Sequence, residues 1–281
     1  MKYLLLIIGI AFFALPAVAQ ENTDVATIRC YYHFSQKKKT DNIVVQDTMT
    51  LDIGSNMSRY YDGSRIFRDS IFGSILTGLD PNKIKSVSVI KDREPDFLDN
   101  MLGDTYHSNA YHGVSEQIFK NRKAGNITLF NQGNNSLSER YKGNDPVGAL
   151  DWTISSDTAS FLDYQCQKAT LKFRGRNYEA WFAPQIPVND GPWKFFGLPG
   201  LILKVKDTEN QFDFECIGLE NLNTLCTIKM PEGTYFECNL KDYNKMMKNK
   251  ASGHAININS GSIVIANFKA ETSFQQLELD K

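Results

Sequence analysis

The sequence is poor in the residues that carry most catalytic and metal chemistry. It has four histidines and five cysteines in 281 residues. No Cys-x-x-Cys occurs, which removes the usual redox motif and the zinc knuckle. No Gly-x-Ser-x-Gly occurs, which removes the strained nucleophile elbow of the common serine hydrolases. His107 and His112 are five residues apart, so they fall on opposite faces of a strand and miss the i, i+4 spacing of paired helical ligands. The formal net charge is −1 with no basic block, which argues against nucleic acid as a partner. No Pro-rich linker and no internal repeat divides the chain. Neither a catalytic residue, a metal ligand nor a cofactor motif can be assigned on these grounds.

Long apolar runs are also scarce. The one at the start, MKYLLLIIGIAFFALPAVAQ, has a positive Lys2, a short apolar stretch and the small residues Ala17-Val18-Ala19. It reads as a secretory signal peptide over residues 1–19, too short to span a bilayer comfortably. No later run reaches spanning length, so the expectation is an exported protein without a transmembrane segment in its mature chain. Residues 20–281 read as a single domain.

What is abundant is alternation of period two. Ile28, Cys30, Tyr32 and Phe34 share one face, as do Met49, Leu51 and Ile53. Both segments read as half-buried strands joined by the polar turn SQKKKTDN. Val87 with Val89, Ile118 with Phe119, and Ile127 with Leu129 read as further strands. So do the segments around Cys166–Leu171, Tyr178–Phe182, Leu201–Val205 and Phe212–Cys216, and Ile263, Ile265 and Phe268 are expected to close the sheet. The spacing of Ile66, Phe67, Ile71, Phe72, Ile75, Leu76 and Leu79 is helical, and Lys241–Lys250 reads as a second helix. NQGNNSLSERYKGNDP reads as an exposed loop. The fold class is therefore mainly β (α+β): one large curved antiparallel sheet with one or two helices packed against it.

The stretch GPWKFFGLPGLIL, Gly191 to Leu203, concentrates aromatics, glycines and prolines ahead of a strand. Two readings stand. It is a bend that plugs one end of the sheet with aromatics, or it is an aromatic lip over an apolar cavity. On the second reading Trp193, Phe195, Phe196 and Leu198 contact a ligand, with Arg174, Arg176 and Trp181 nearby as anion-binding or stacking groups. A turn at Glu220–Leu222 would place Cys216 opposite Cys226 and allow a cross-strand disulfide. Cys166 reads as a core residue. The triplet Asp157-Thr158-Ala159, in what reads as a polar turn, makes Thr158 a candidate for O-glycosylation.

The ordered motifs from Tyr164-Gln-Cys-Gln-Lys-Ala169 through Phe173-Arg-Gly-Arg-Asn-Tyr-Glu-Ala-Trp181 and Ile186-Pro-Val188 to Gly197-Leu-Pro-Gly-Leu-Ile202 resemble the GLPGLI family. Its members are secreted proteins of Bacteroidetes-type bacteria, largely of unknown function and often met beside outer-membrane transport systems. The resemblance implies a periplasmic or outer-membrane-associated location. A sheet wrapped on a helix also resembles the periplasmic lipoprotein-carrier half-barrel. The functional expectation is a non-enzymatic binding or accessory factor for an apolar small molecule or lipid, or for an outer-membrane transport protein. The alternatives are a hydrolase acting on envelope peptides or polymers, and a purely structural envelope protein.

Overall fold

The computed structural model describes residues 23–37, 44–67, 70, 78, 80–90, 107–108, 116–131, 140–249, 252–259, 262–269 and 277–278. The signal-peptide segment, most of the first expected helix and His112 lie outside these residues. Helical residues are described at 63–67, where Phe67 is exposed, and again at 70.

The architecture is mainly β, as the alternation predicts. The strands are β1 (Thr23–Lys37), β2 (Val44–Ile53), β3 (Met57–Tyr61), β4 (Ser86–Ile90), β5 (His107–Ser108), β6 (Glu116–Asn121), β7 (Asn126–Asn131) and β8 (Tyr141–Pro146). They continue as β9 (Thr153–Phe161), β10 (Tyr164–Phe173), β11 (Arg176–Ala183), β12 (Leu201–Asp207), β13 (Phe212–Lys229), β14 (Phe236–Asn239), β15 (Ser252–Asn259) and β16 (Ser262–Lys269). Twelve of them form one open, curved sheet in the order β14-β8-β7-β6-β3-β2-β1-β13-β12-β11-β10-β9. Neighbours are antiparallel except β14 and β8, which pair in parallel at one edge. A helix, Leu240–Asn249, follows β14, close to the helix read from sequence.

Three expectations need correction. Ile263, Ile265 and Phe268 do not close the large sheet. They lie in β16, part of a separate four-stranded sheet of order β4-β16-β15-β5. The Gly- and Asn-rich stretch Tyr141–Pro146 is not an exposed loop but strand β8, with Tyr141, Gly143 and Asp145 facing inward. Finally, β13 makes no hairpin near Glu220. It runs alongside β1 from Gln36↔Phe212 to Thr23↔Lys229, absorbing extra residues as irregularities. Cys216 is opposite Tyr32 and Cys226 opposite Ala26, six β1 residues or about 20 Å apart at strand rise. A Cys216–Cys226 disulfide therefore has no geometry, and all five cysteines are free thiols.

The expected inner faces hold. Cys30, Tyr32 and Phe34 of β1 and Met49, Leu51 and Ile53 of β2 are buried in the main core with Tyr178, Ala180 and Phe182 of β11. The β10–β11 hairpin turns through Arg174 (φ 50°) and Gly175 (φ 78°), two consecutive left-handed residues of the kind a two-residue hairpin requires. A second, smaller core lies on the opposite face of β6 and β7, where Phe119, Phe130, Met57, Ala26 and Ile228 meet. Adjacent residues such as Ile118 and Phe119 thus serve different cores, because successive side chains leave a strand on opposite sides.

Candidate functional site

The signature segment leaves β11 at Ala183 and enters β12 at Leu201. Its path is fixed by its own backbone. The Leu201 N–H donates to the Ile186 carbonyl at 3.0 Å and the Ile202 N–H to the Asp190 carbonyl at 2.9 Å. Asp190 and Phe196 form an antiparallel bridge. A β-carbon at Gly200 would sit 2.3 Å from the Ala183 carbonyl oxygen, so only glycine lets the two ends of the segment approach this closely. Gly197 bends with φ 94°, and Trp193 itself takes a left-handed φ of 50°.

This path drives the aromatics into the main core. Trp193, Phe195, Phe196 and Leu198 are all buried, and Phe195 is fully so. The Phe195 ring meets Phe173, Tyr178, Trp193 and Phe214 edge-on at centroid distances of 4.8–6.2 Å. Burying each such ring contributes about 1.5–3 kcal/mol, and edge-to-face pairs add about 0.5–1.5 kcal/mol. These four side chains pack against one another and the main core, and they line neither of two hollows among the described residues.

Two charged side chains of the segment are buried with it, each met by opposite charge from the far half of the sheet. Lys120 shares the inner face of β6 with Ile118 and reaches Asp190, where Arg122 also bonds at 2.9 Å. Lys120 donates as well to the Gly191 carbonyl. Burial alone would raise the Asp190 carboxyl, but Lys120 and Arg122 outweigh it and hold the group below its ordinary range. Burial lowers the Lys120 ammonium despite Asp190. On the other side Lys194 bonds Asp145 of β8 at 2.8 Å and also Glu278. Arg174 bonds the same Asp145 at 2.6 Å. Glu116, beside Lys194 and Tyr243, has its carboxyl raised by burial. The segment therefore ties β6 and β8 to β10–β12 across the concave face.

The other expected site residues are dispersed. Arg174 joins the cluster through Asp145. Arg176 turns to Asp207 and Gln211 and lies over the Phe212 ring at 4.8 Å. Trp181 stacks on neither arginine and sits between Phe161 and Lys168. Thr158 is not in a turn but exposed in β9, the edge strand. His33 is in β1, whereas His107 and His254 are in strands of the smaller sheet. Among the described residues no three His, Cys, Asp or Glu side chains converge as a metal site.

One open feature adjoins the segment. A hollow of about 540 Å³ is lined by Thr158, Gln165, Cys166, Gln167, Pro184 and Gln185. Three of its six lining residues are glutamines and none carries a charge at neutral pH. Its one titratable group is the Cys166 thiol, which burial pushes up to about 11. Hydrophobic periodicity cannot reveal such a place, because apart from the buried Cys166 its residues are outward-facing positions of β9 and β10 and the exposed Pro184 and Gln185 after β11.

The fold and segment define a mainly-β protein whose signature motif is a buried brace. A family model described as a protein of unknown function (Porph_ging) matches residues 174–204, from the β10–β11 turn through the signature. No curated protein matches the chain. It is similar to solved structures of PNGF-II in two crystal forms. The P21 form shows 15% identity and a TM-score of 0.49, covering 79% of this chain and 33% of that one. The C2 form shows 14% identity and a TM-score of 0.47, covering 79% and 32%. The chain thus spans about a third of the length of those solved proteins.

Proposed function

We propose that this is an exported cell-envelope protein that acts by binding, as an accessory factor to an outer-membrane partner protein, and performs no chemistry of its own. The observation that carries the reading is the uncharged hollow beside the edge strand β9, where Gln165, Gln167 and Gln185 stand in a largely apolar surface. Glutamine and threonine side chains offer both donors and acceptors, which suit the main-chain amides of an extended partner segment. β9 pairs only with β10 among the described strands, so its outer edge is available for strand addition. The aromatics that a carrier of lipid or another apolar molecule would use are already packed together. That argues for a protein partner over an apolar ligand.

Mass spectrometry of the protein taken from its native envelope, with a photo-crosslinking residue at Gln165 and a control at the distant Phe236, tests this. The expected result is one outer-membrane protein crosslinked from position 165 and absent from position 236. A stoichiometric lipid in the organic extract would support the carrier instead. Turnover of envelope peptide or polymer would support a hydrolase, and neither partner nor ligand a structural role. The intact mass also reports whether Thr158, on the rim of the hollow, carries a glycan.

A further inference from the structure

Three of the five thiols have separate surroundings. Cys166 lines the hollow, the Cys226 sulfur accepts from Arg29 at 3.2 Å, and Cys238 donates to the Lys142 carbonyl. Cys30 and Cys216 differ. They lie on paired antiparallel strands, β1 and β13, and are both buried in the main core. Cys30 is opposite Leu219, and Tyr32, two residues on, is opposite Cys216. The register shift between Tyr31 and Tyr32 falls between these pairs and sets Cys216 diagonally against Cys30. Each thiol shifts the ionisation of the other, as close neighbours do, and Cys216 donates to the Gly218 carbonyl at 3.3 Å. Adjacent strands and a shared buried face put the two side chains where closing a disulfide needs only a local adjustment of the strands.

We propose that Cys30 and Cys216 form a disulfide site that staples β1 to β13 when the chain folds in an oxidising surrounding. The surrounding rests on the export reading above; the juxtaposition does not. In exchange with a small-molecule disulfide, the Cys216 thiolate attacks one sulfur of the reagent and expels its first thiol. Cys30 then loses its proton and attacks the Cys216 sulfur, expelling the second thiol. Two electrons and two protons leave the protein, and the reagent is reduced to two thiols. The neighbouring Cys30 thiol lowers the Cys216 thiol, which makes Cys216 the attacking group, while Cys216 and burial raise Cys30. Because both sulfurs are buried, the bond should close during folding, before the core seals.

The experiment is to refold the full chain in a defined mixture of oxidised and reduced glutathione, then alkylate, digest and map it without reduction. This isolates the disulfide from any question of export. The expected result is a linked peptide pair containing Cys30 and Cys216, a mass about 2 Da below the reduced form, and a Tm that falls by about 5–15 °C on reduction. Cys30→Ser should remove the link and the Tm response and leave Cys216 alkylated. Folded protein in which both cysteines are recovered as thiols from the oxidising mixture, or in which either is linked to another cysteine, would overturn the proposal. If Cys30→Ser does not fold, the wild-type map still decides.

Discussion

Two neighbouring regions make opposite use of their residues. The signature segment is aromatic, buried and held by ion pairs on two sides, with Lys120 and Arg122 on Asp190 and Asp145 on Lys194. The hollow that begins at Pro184, the segment's first residue after β11, is open and uncharged, a largely apolar surface with three glutamines in its lining. The conspicuous motif does the packing, and the inconspicuous surface is left to meet a partner. A segment that must turn sharply, bury four large apolar side chains and satisfy two internal charges constrains nearly every position. A surface that offers amides to a partner constrains few.

The comparison can be broken first at its aromatic centre. Phe195→Ala removes the ring at the middle of the cluster and should cost about 3–5 kcal/mol. Chemical denaturation should show the midpoint collapsing, and an unchanged midpoint would mean the ring is not packed as described. Next is the buried charge. Asp190→Asn leaves Lys120 and Arg122 without their counter-charge inside the protein and should cost about 3–5 kcal/mol by the same measurement. This variant also sharpens a pH effect. The Asp190 carboxyl lies below its ordinary 3.8 in the folded protein. Its stabilising contribution is therefore complete above that value and is lost as pH falls through the folded pKa. Wild-type stability should drop in acid below about pH 4, and Asp190→Asn should lack that component of the drop.

Smaller effects follow. Gly197→Ala meets no atom within 4 Å, so it tests the left-handed backbone alone and should cost about 1–2 kcal/mol. On the other side of the comparison, Gln165→Ala and Gln185→Ala should change stability by no more than about 0.5 kcal/mol. They should nevertheless weaken crosslinking to the partner. Loss of stability there, with binding intact, would reverse the assignment of roles.

Much of the fold was legible because alternation is a direct record of burial. The inner faces of β1 and β11 follow it closely, whereas in β2 and β12 the intervening Thr50, Asp52 and Ile202 are buried as well. The failures have physical causes. In β8 the inward positions are Tyr141, Gly143 and Asp145, and a glycine and an aspartate do not register as a hydrophobic face. Gly143 is there because the Tyr243 ring packs within 2.8 Å of where a β-carbon would be. Lys120, Asp145, Asp190 and Lys194 were missed for the same reason. A charge is read as solvated until its partner is known, and these partners come from distant strands. β13 hid its continuity behind Gly218, Asn221 and Asn223, which look like a turn.

The central claim is that the signature segment is a buried brace and not a moving lip. Native-state hydrogen exchange on the full chain tests it directly. The Ile202 N–H, bonded to the Asp190 carbonyl, and the Phe195 N–H, bonded to the Pro192 carbonyl, report on both halves of the segment. The account predicts that these amides exchange only through global unfolding, with the same opening free energy as β11. Exchange through a local opening far below the global value would contradict it and return the aromatics to the role of a lip.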